Sequence, residues 1–431
     1  MSDIRKLIDS QPISGLQYTV IALCFLMNVL DGMDVLIISY AAPALAMEWA
    51  ISPEALGIVF SAGLLGMTVG AVVLAPLADY LGRRSLILFC LVVMSAGILL
   101  TAYAQNLTQL AALRFASGLG IGAMLASAAI MAAEYAPDRR KNLLVSIVLS
   151  GYPVGATLSG VVAASIIPEF GWRIMFTVAG LTTALAFPLV YVFLPESLNF
   201  LVKVQPANAL EKANRILRSM DCAELSEFPP VAAPAAHSKV SSLFTAGNRA
   251  PTLWLWLAFF MSFATLYFLL SWIPLLAANT GLSPSLAIYA GAVFNLGAIF
   301  GILLQGYSSQ ILGLRRSIGV FLVGAAVLMV VFGYISGSIA VLVLFGLIGF
   351  AMQGGFTGLY SVAARLYPTE VRATGVGWAI GAGRTGAIVG PVLGGLLIGI
   401  GLSMSANFIV FVIPVVVAAV ATALIRSAEI S

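Results

Sequence analysis

The sequence predicts an all-α membrane protein in which twelve helices cross a bilayer as two six-helix repeats. Of its 431 residues, 61% are hydrophobic and only 9% are charged, whereas a soluble domain is about 25% charged. This composition excludes a soluble enzyme, a nucleic-acid-binding protein and a disordered chain. The apolar runs are as long as membrane-spanning helices, about 20 residues, and too long for the strands of a membrane β-barrel.

Apolar runs separated by glycine, proline or charged residues give the spans in order. Each run can cross a hydrocarbon core of roughly 30 Å at about 1.5 Å per helical residue. The first six predicted spans lie at 16–44, 54–78, 85–104, 108–133, 143–167 and 171–194. The second six lie at 251–277, 284–309, 315–335, 337–363, 371–399 and 404–426.

A polar segment separates these two sets of spans. The predicted units are an N-terminal bundle over 1–194, a cytoplasmic linker over 195–250 and a C-terminal bundle over 251–431. In the linker, the helical spacing of apolar residues over 206–220 predicts a short helix lying on the membrane surface. Residues 228–242, rich in proline, alanine and serine, predict a flexible connection.

The basic residues predict the orientation of the chain. If the N-terminus is cytoplasmic, most of the 21 Lys and Arg residues fall in cytoplasmic segments, as the positive-inside rule requires. Both termini are then expected in the cytoplasm, with the protein in the inner (plasma) membrane of a bacterium. A cleaved signal peptide is not expected, because the first apolar run is too long and contains two aspartates.

The two halves align at a constant offset of 231 residues. The aligned pairs are Gly82 with Gly313, Gly118 with Gly349, Pro137 with Pro368, and Gly155 with Gly386. One offset that holds at several distant places predicts two similar bundles that rock around a central site.

Four charged residues lie inside predicted spans, clear of the helix ends: Asp31, Asp34, Arg114 and Arg384. A charge at the bilayer centre costs at least about 2.5–3.5 kcal/mol on insertion scales. Each of these residues therefore needs a partner, water or a function, and purely structural ion pairs are the alternative.

Asp31 and Asp34 are three residues apart and share one face of span one. Because two close carboxylates repel in a medium of low dielectric, one of them favours its neutral form. We expect this pair to carry the proton, with Asp34 favoured over Asp31, and Arg114 of span four to lie level with Asp34 as part of the coupling. For Asp31 the alternative is capping of a helix broken at Gly32, and for Arg114 it is helix packing.

Arg384 has no acidic residue in any second-half span to pair with it. An unpaired guanidinium favours an anionic ligand, and its planar fork fits a carboxylate through two hydrogen bonds. Nearby glycines are expected to loosen the helix around it. Five further residues at mid-span depth are expected to complete the substrate cavity, although each alone is more often a core residue: Asn28, Tyr152, Tyr267, Asn295 and Gln353.

Charged residues of both signs lie at the predicted cytoplasmic edge. We expect them to form ion pairs that close an inner gate, whereas the positive-inside rule alone explains only the basic members. They are Asp79, Arg83, Arg84, Glu134 and Arg372.

Several of these segments resemble those of a known superfamily. Asp79-x2-Gly82-Arg83-Arg84 resembles the loop signature of the major facilitator superfamily, and Arg114-x3-Gly118-x-Gly120-x-Gly122 resembles its fourth-helix motif. More narrowly, residues 31–34, 78–84 and 367–386 resemble the aromatic acid:proton symporter family. The resemblance covers essentially the whole chain, with departures at Ala75, Tyr80 and Gln310.

The resemblance implies a major facilitator fold, proton-coupled uptake of benzoate-like acids, and functional roles for arginines matching Arg372 and Arg384. The predicted protein is thus not an enzyme but a monomeric importer in the lipid bilayer, with an aromatic acid and protons as partners. No nucleic acid, cofactor or metal is expected, since His237 and three scattered cysteines offer no ligand set. The alternatives are an importer of an aliphatic dicarboxylate such as muconate, a sugar porter, a drug-efflux antiporter and a sensor without transport.

Overall fold

A computed structural model describes residues 7–9, 11–228, 240–245, 248–335, 337–368 and 371–425. All regular structure in these ranges is helical, and twelve helices are long and apolar enough to cross a membrane. Spans one to six are Gly15–Trp49, Pro53–Leu81, Arg83–Thr101, Leu107–Tyr135, Leu143–Phe170 and Trp172–Phe193. Spans seven to twelve are Arg249–Asn279, Pro284–Leu312, Leu314–Tyr334, Ser338–Leu366, Thr374–Gly399 and Met404–Leu424.

The predicted fold class is confirmed, and the helix ends differ from the prediction by a few residues. Span one continues past Pro43 to Trp49, whose ring packs edge-on against Trp172 at 5.6 Å between centroids. Span two changes its winding near its end, through a π-helical turn at Gly70–Leu74 and a 3₁₀ turn at Ala75–Leu77.

The helix caps repeat at the same 231-residue offset. Ser52 and Ser283 each cap a helix that begins with proline, and each hydroxyl accepts a bond from the backbone three residues on. Gly82 and Gly313 precede spans three and nine with φ of +92° and +80°, a conformation that glycine adopts without strain. The repeat in the sequence is therefore a repeat of local structure.

Glycine brings the helices together at equivalent places in both halves. A Cβ on Gly155 of span five would lie 1.9 Å from the backbone oxygen of Val29 in span one. A Cβ on Gly386 of span eleven would lie 2.1 Å from the oxygen of Phe260 in span seven. Both partners are also related by the offset, so the same close helix pair is built twice.

The segment between the halves contains helices at Leu198–Val204 and Ala209–Ser219. The second helix buries Ala213 and Leu217 in the core of the first half and exposes its charged side. The 3₁₀ turn Val240–Phe244 shows that the prediction of a flexible connection over 228–242 is wrong at its end. Residues 229–239 lie outside the described ranges, as do Arg5, Lys6, His237, Lys239 and Arg426 of the sequence predictions.

In the described residues the two halves meet mainly through the pairs of spans one and seven, two and eleven, and five and eight. We call the membrane side with Trp49, Pro53 and Thr101 the Trp49 face. The opposite side, with Arg83 and Tyr135, is the Arg83 face. The functional residues lie between these faces and at their edges.

Candidate functional site

Asp34 and Arg114 form a buried ion pair between spans one and four. The distance from Arg114 Nη1 to Asp34 Oδ1 is 2.6 Å, and the side chains are 3% and 0% exposed. Arg114 also donates to Thr101 Oγ1 at 3.1 Å, and its guanidinium lies 5.1 Å from the centre of the Phe176 ring. The predicted contact is therefore present, and these contacts of Arg114 lie within the first half.

Asp31 is fully buried and has no such partner. Neither carboxyl oxygen has a hydrogen-bonding group among the residues that the structure describes. Span one is continuous through Gly32, where a Cβ would lie 2.0 Å from the backbone oxygen of Tyr152. The alternative of a helix broken at Gly32 is wrong, because this glycine serves close packing.

Arg384 lies half-buried on span eleven without a hydrogen bond or ion pair to any side chain in the described ranges. Gly383, the neighbour of Arg384, packs against Phe263 and Phe259, whose rings contact those of Tyr267 and Tyr360. The helix is continuous around Arg384, so the expected loosening does not occur. An arginine without a described side-chain partner thus lies on a continuous helix of the second half.

An aromatic cluster that the sequence predictions missed lies on spans seven and ten beside Arg384. Phe263 and Phe356 meet edge to face with centroids 4.7 Å apart, and Phe259 meets Tyr360 in the same way at 5.2 Å. Phe263 also stacks on Tyr267 at 5.9 Å. The available signal was the four-residue spacing of Phe259, Phe263 and Tyr267, which places three rings on one helix face.

The other predicted cavity residues do not all meet at Arg384. Asn28 and Asn295 are fully buried, and each amide nitrogen donates to a carbonyl of its own helix, at Cys24 and Gly291. Gln353 is also buried. Of the predicted substrate residues, Tyr267 stacks on Phe263, the ring that packs against Gly383 next to Arg384.

A small cavity of about 30 Å³ lies where the two halves meet. Asp34 and Arg114 line it from the first half, and Tyr267 and Ser271 line it from the second. This volume holds a water molecule but not an aromatic ring. The ion pair therefore lines a cavity that residues of the second half also line.

At the Arg83 face, a charged cluster joins spans two, three and four. Arg83 Nε lies 3.2 Å from Glu134 Oε1, and Arg83 Nη2 lies 3.6 Å from Asp79 Oδ1. Ser197 donates its hydroxyl to Glu134. Glu196 accepts from the backbone nitrogens of Arg84 and Ser197 at 3.0 and 2.8 Å. Sequence reasoning missed these contacts of Glu196 and Ser197, which directly follow span six.

Two predicted members of this cluster do not join its ion pairs. Arg84 donates to the backbone oxygen of Tyr191 and lies 5.2 Å from the centre of that ring. Arg372 donates from Nε to the backbone oxygen of Tyr367 at 3.2 Å. The expectation of carboxylate partners for these two arginines is wrong within the described residues, because backbone carbonyl groups accept their bonds.

Toward the Trp49 face, three serine hydroxyls donate hydrogen bonds from one six-helix half to the other. Ser39 donates to the backbone oxygens of Leu270 and Ser271 at 2.7 and 2.8 Å. Ser61 donates to Ile388 O at 2.7 Å, and Ser285 donates to Ala164 O at 3.0 Å. By contrast, the described hydrogen bonds and ion pairs at the Arg83 face each stay within one half.

The sequence matches the family model of the Major Facilitator Superfamily over residues 24–279 and 255–429. It is 36% identical to the 4-hydroxybenzoate transporter PcaK of Pseudomonas putida over 97% of this chain and 94% of that protein. The chain belongs to the major facilitator superfamily. Within the superfamily it belongs to the aromatic acid transporters, a family of transporters and not of enzymes.

Two further relatives support this placement in the aromatic acid transporter family. The gallate transporter of Pseudomonas putida is 34% identical over 97% of this chain and 94% of its own length. The benzoate transport protein of Acinetobacter baylyi is 30% identical over 98% and 92%. The inward open xylose transporter XylE of E. coli superimposes with a TM-score of 0.73 at 18% identity, covering 95% and 96% of the two chains. This last likeness concerns the major facilitator fold alone.

Proposed function

We propose that this protein imports an aromatic carboxylate of the benzoate type together with protons, by alternating access. The observation that carries the proposal is the half-buried guanidinium of Arg384, which has no acidic partner in the described residues and lies beside an aromatic cluster. A carboxylate pairs with the guanidinium fork through two charge-assisted bonds. The ring of the same ligand packs against Phe263 and Phe356 or the adjacent tyrosines. The names of the relatives above support this class of substrate.

The proton site is proposed in the first half. Asp34 is paired with Arg114 at 2.6 Å, whereas Asp31 is buried without a described partner. We therefore assign the transported proton to Asp31 rather than to Asp34, the residue that the sequence alone favoured. Arg114 then acts by engaging Asp34 in the ion pair, which leaves Asp31 as the carboxyl group that carries the proton.

Alternating access is supported by where the halves are bonded to each other. The hydrogen bonds of Ser39, Ser61 and Ser285 join the two halves toward the Trp49 face. No comparable bond is described between the halves at the Arg83 face. This pattern fits a state that is open toward the Arg83 face. In the opposite state, the cluster of Arg83, Asp79 and Glu134 is proposed to secure the inner gate against the second half.

The basic residues at the Arg83 face support the proposal that this face is cytoplasmic, by the positive-inside rule. Both termini are then cytoplasmic, and the protein works as a monomer in the inner membrane. A dicarboxylate such as muconate is the second candidate substrate, because it would engage the same arginine. A neutral sugar is disfavoured because it leaves the guanidinium of Arg384 unpaired.

The decisive experiment is uptake into proteoliposomes with and without an inward proton gradient. The panel contains benzoate, 4-hydroxybenzoate, protocatechuate, vanillate, muconate and glucose. We expect gradient-stimulated uptake of at least one aromatic acid, abolished by a protonophore. Uptake of glucose with silence for every acid would overturn the proposed substrate class, and acid uptake that ignores the gradient would overturn the coupling.

A further inference from the structure

Spans two and eleven run in opposite directions and meet along one face of each helix. Three pairs fix their register on the Trp49 side: Pro53 with Gly395, Gly57 with Pro391, and Ser61 with Ile388. In the first two pairs a Cβ on the glycine would lie 2.5 and 2.8 Å from the backbone oxygen of the proline, and the third is a hydrogen bond of 2.7 Å. Each step of four residues along span two thus matches a step of three or four residues back along span eleven.

This register leads directly to the unpaired arginine of the second half. Carried one turn further, it places Arg384 opposite Leu64, and carried another turn it places Gly381 opposite Thr68. Leu64 is buried and lines the small cavity between the halves. Ile388, one turn beyond Arg384, packs against the core of the first half. This face of span eleven is therefore the one that turns toward the first half.

Beyond Arg384 the two helices part. A Cβ on Gly381, or on Gly377 one turn further, would meet no atom of another helix within 4 Å among the described residues. Such openness is not general on span eleven, since a Cβ on Gly383 would lie 2.4 Å from the ring of Phe263. The space between spans two and eleven is thus a wedge that is closed on the Trp49 side and widens from Arg384 toward the Arg83 face.

Arg384 lies where this wedge begins and has no described side-chain partner. Helical side chains lean toward the N-terminus of their helix, which for span eleven is the Arg83 face, so the guanidinium extends over the turn of Gly381. A carboxylate bound to it has packed helices on the Trp49 side and open space on the other side. The ring of the proposed substrate therefore projects along the wedge between Gly381 and Thr68, with the aromatic cluster beside it.

Thr68 offers a ligand in this position one kind of hydrogen bond. Its hydroxyl donates its single proton to the backbone oxygen of Leu64 at 2.9 Å. The same oxygen atom keeps its capacity to accept but has no further proton to donate. Thr68 is therefore matched to a ring substituent that donates, such as a phenolic hydroxyl group, and not to an unsubstituted ring.

We propose that Gly381 and Thr68 determine which ring substituents the transporter accepts. Gly381 leaves the room that a substituent needs, and Thr68 accepts a hydrogen bond from a ring hydroxyl group across the wedge. The preferred substrate is then a hydroxylated benzoate rather than benzoate itself. This assignment deepens the proposed function and rests on it, because it assumes that Arg384 holds the carboxylate.

The test measures the equilibrium affinity of purified protein for benzoate, 4-hydroxybenzoate and vanillate. Thr68→Val keeps the shape of the side chain and removes the acceptor. Its affinity for 4-hydroxybenzoate should fall by roughly 2- to 12-fold, the contribution of one neutral hydrogen bond, while its affinity for benzoate stays at the native value. Thr182→Val is the matched control, because Thr182 makes the same bond to the carbonyl four residues earlier at an exposed position of span six.

Gly381→Val tests the room in the wedge. Its affinity for vanillate should fall by about 10-fold or more relative to benzoate, since a single extra carbon in a fitted pocket changes binding by about 10- to 200-fold. Gly306→Val is the control, because Gly306 is an exposed glycine of span eight where a Cβ also meets no atom within 4 Å. Binding of benzoate by each variant shows that it is folded.

The assignment is wrong if the native chain binds these acids and both wedge variants keep the native order of affinities. An equal loss for all three acids in Gly381→Val also overturns it, because Gly381 would then serve only the closing of the two helices. A native chain that binds no aromatic acid would overturn the proposed function itself. Loss of the preference for the hydroxylated acid in Thr68→Val, with native binding of benzoate, supports the assignment.

Discussion

The two halves of the molecule share one scaffold but carry different chemistry. Helix caps and close glycine contacts repeat at an offset of 231 residues, as at Ser52 and Ser283 or at Gly155 and Gly386. The charges do not repeat. At the same offset, Asp31 and Asp34 correspond to Ser262 and Thr265, Arg114 corresponds to Phe345, and Arg384 corresponds to Pro153.

This difference separates charges that are satisfied within the protein from a charge that is left for a ligand. In the first half, Arg114 has a carboxylate, a hydroxyl and an aromatic ring around it. In the second half, Arg384 has none of these bonds within the described residues and lies beside a wall of aromatic rings. A duplicated scaffold can thus assign protons to one half and the anion to the other, so that rocking of the halves links the two.

Replacement of Arg384 by alanine should have the largest effect on this division of roles. The bound carboxylate would lose its charge partner, a loss of about 3–5 kcal/mol and therefore at least about 100-fold in affinity. Arg384→Lys should recover part of the binding, since it restores the charge but not the planar fork. Equilibrium binding of radiolabelled 4-hydroxybenzoate measures both variants.

The matched control is Arg316→Ala, because Arg316 is an exposed arginine of the same half at the Arg83 face. Its affinity should stay at the native value. If Arg384→Ala also binds with native affinity, the second half does not hold the anion and the comparison between the halves fails.

The two aspartates of span one give the next largest contrast. Asp34→Asn leaves Arg114 buried without its counter-charge and should lower the free energy of unfolding by about 3–5 kcal/mol. Asp31→Asn breaks no ion pair and should leave stability unchanged, while exchange continues and proton-driven accumulation is lost. Thermal unfolding in detergent, counterflow and gradient-driven uptake separate these outcomes. If Asp31→Asn still accumulates substrate against its gradient, Asp31 is not the residue that carries the proton.

The sequence was sufficient for the scaffold and for the isolated charges. Twelve apolar runs and a constant offset determine the spans, because burial in lipid leaves no other way to satisfy the backbone. Asp34 and Arg114 were predicted to lie level from the opposite directions of spans one and four. These inferences need only length, direction and charge.

The partners of flexible or non-periodic groups were not predictable in the same way. Arg84 and Arg372 bond to backbone carbonyls instead of carboxylates, a choice that depends on side-chain rotamers rather than on spacing. Glu196 reaches the Gly82 loop only after the chain has crossed the membrane four more times. The rings of Phe356 and Tyr360 look like ordinary core residues until span ten is packed against span seven.

The charged cluster at the Arg83 face offers a smaller test, within the first half. Glu134 is 7% exposed and Asp79 is 54% exposed, although both contact Arg83. Because bonds to a buried charge are worth about 1.5–3 kcal/mol and exposed pairs about 0.2–1 kcal/mol, Glu134→Gln should slow transport by roughly 10-fold or more. Asp79→Asn should slow it by a few-fold at most. Initial uptake rates at saturating substrate measure the two variants. Equal rates would show that burial of the carboxylate does not determine the size of the effect.

The serine bonds between the halves should produce the smallest effect. A typical hydrogen bond contributes about 0.5–1.5 kcal/mol, so Ser39→Ala or Ser61→Ala should shift the balance between the two states by roughly 2- to 12-fold toward opening at the Trp49 face. Spin labels at Tyr103→Cys and Tyr334→Cys report this shift, since both tyrosines are exposed at the Trp49 face on opposite halves. Electron-electron distance measurements should show a larger population at long separation in the variants.

Ser159→Ala is the matched control for these serines. Ser159 is buried in span five and donates to Ala156 O within its own helix at 3.1 Å, so its loss removes a serine–carbonyl bond that does not cross the boundary between the halves. It should leave the distance distribution unchanged. If Ser159→Ala shifts the distribution as much as Ser39→Ala, general loosening of the helices explains both, and the serines do not hold the face closed. A shift confined to Ser39 and Ser61 means that the closed face depends on a few weak neutral bonds, which binding of substrate and proton can overcome in each cycle.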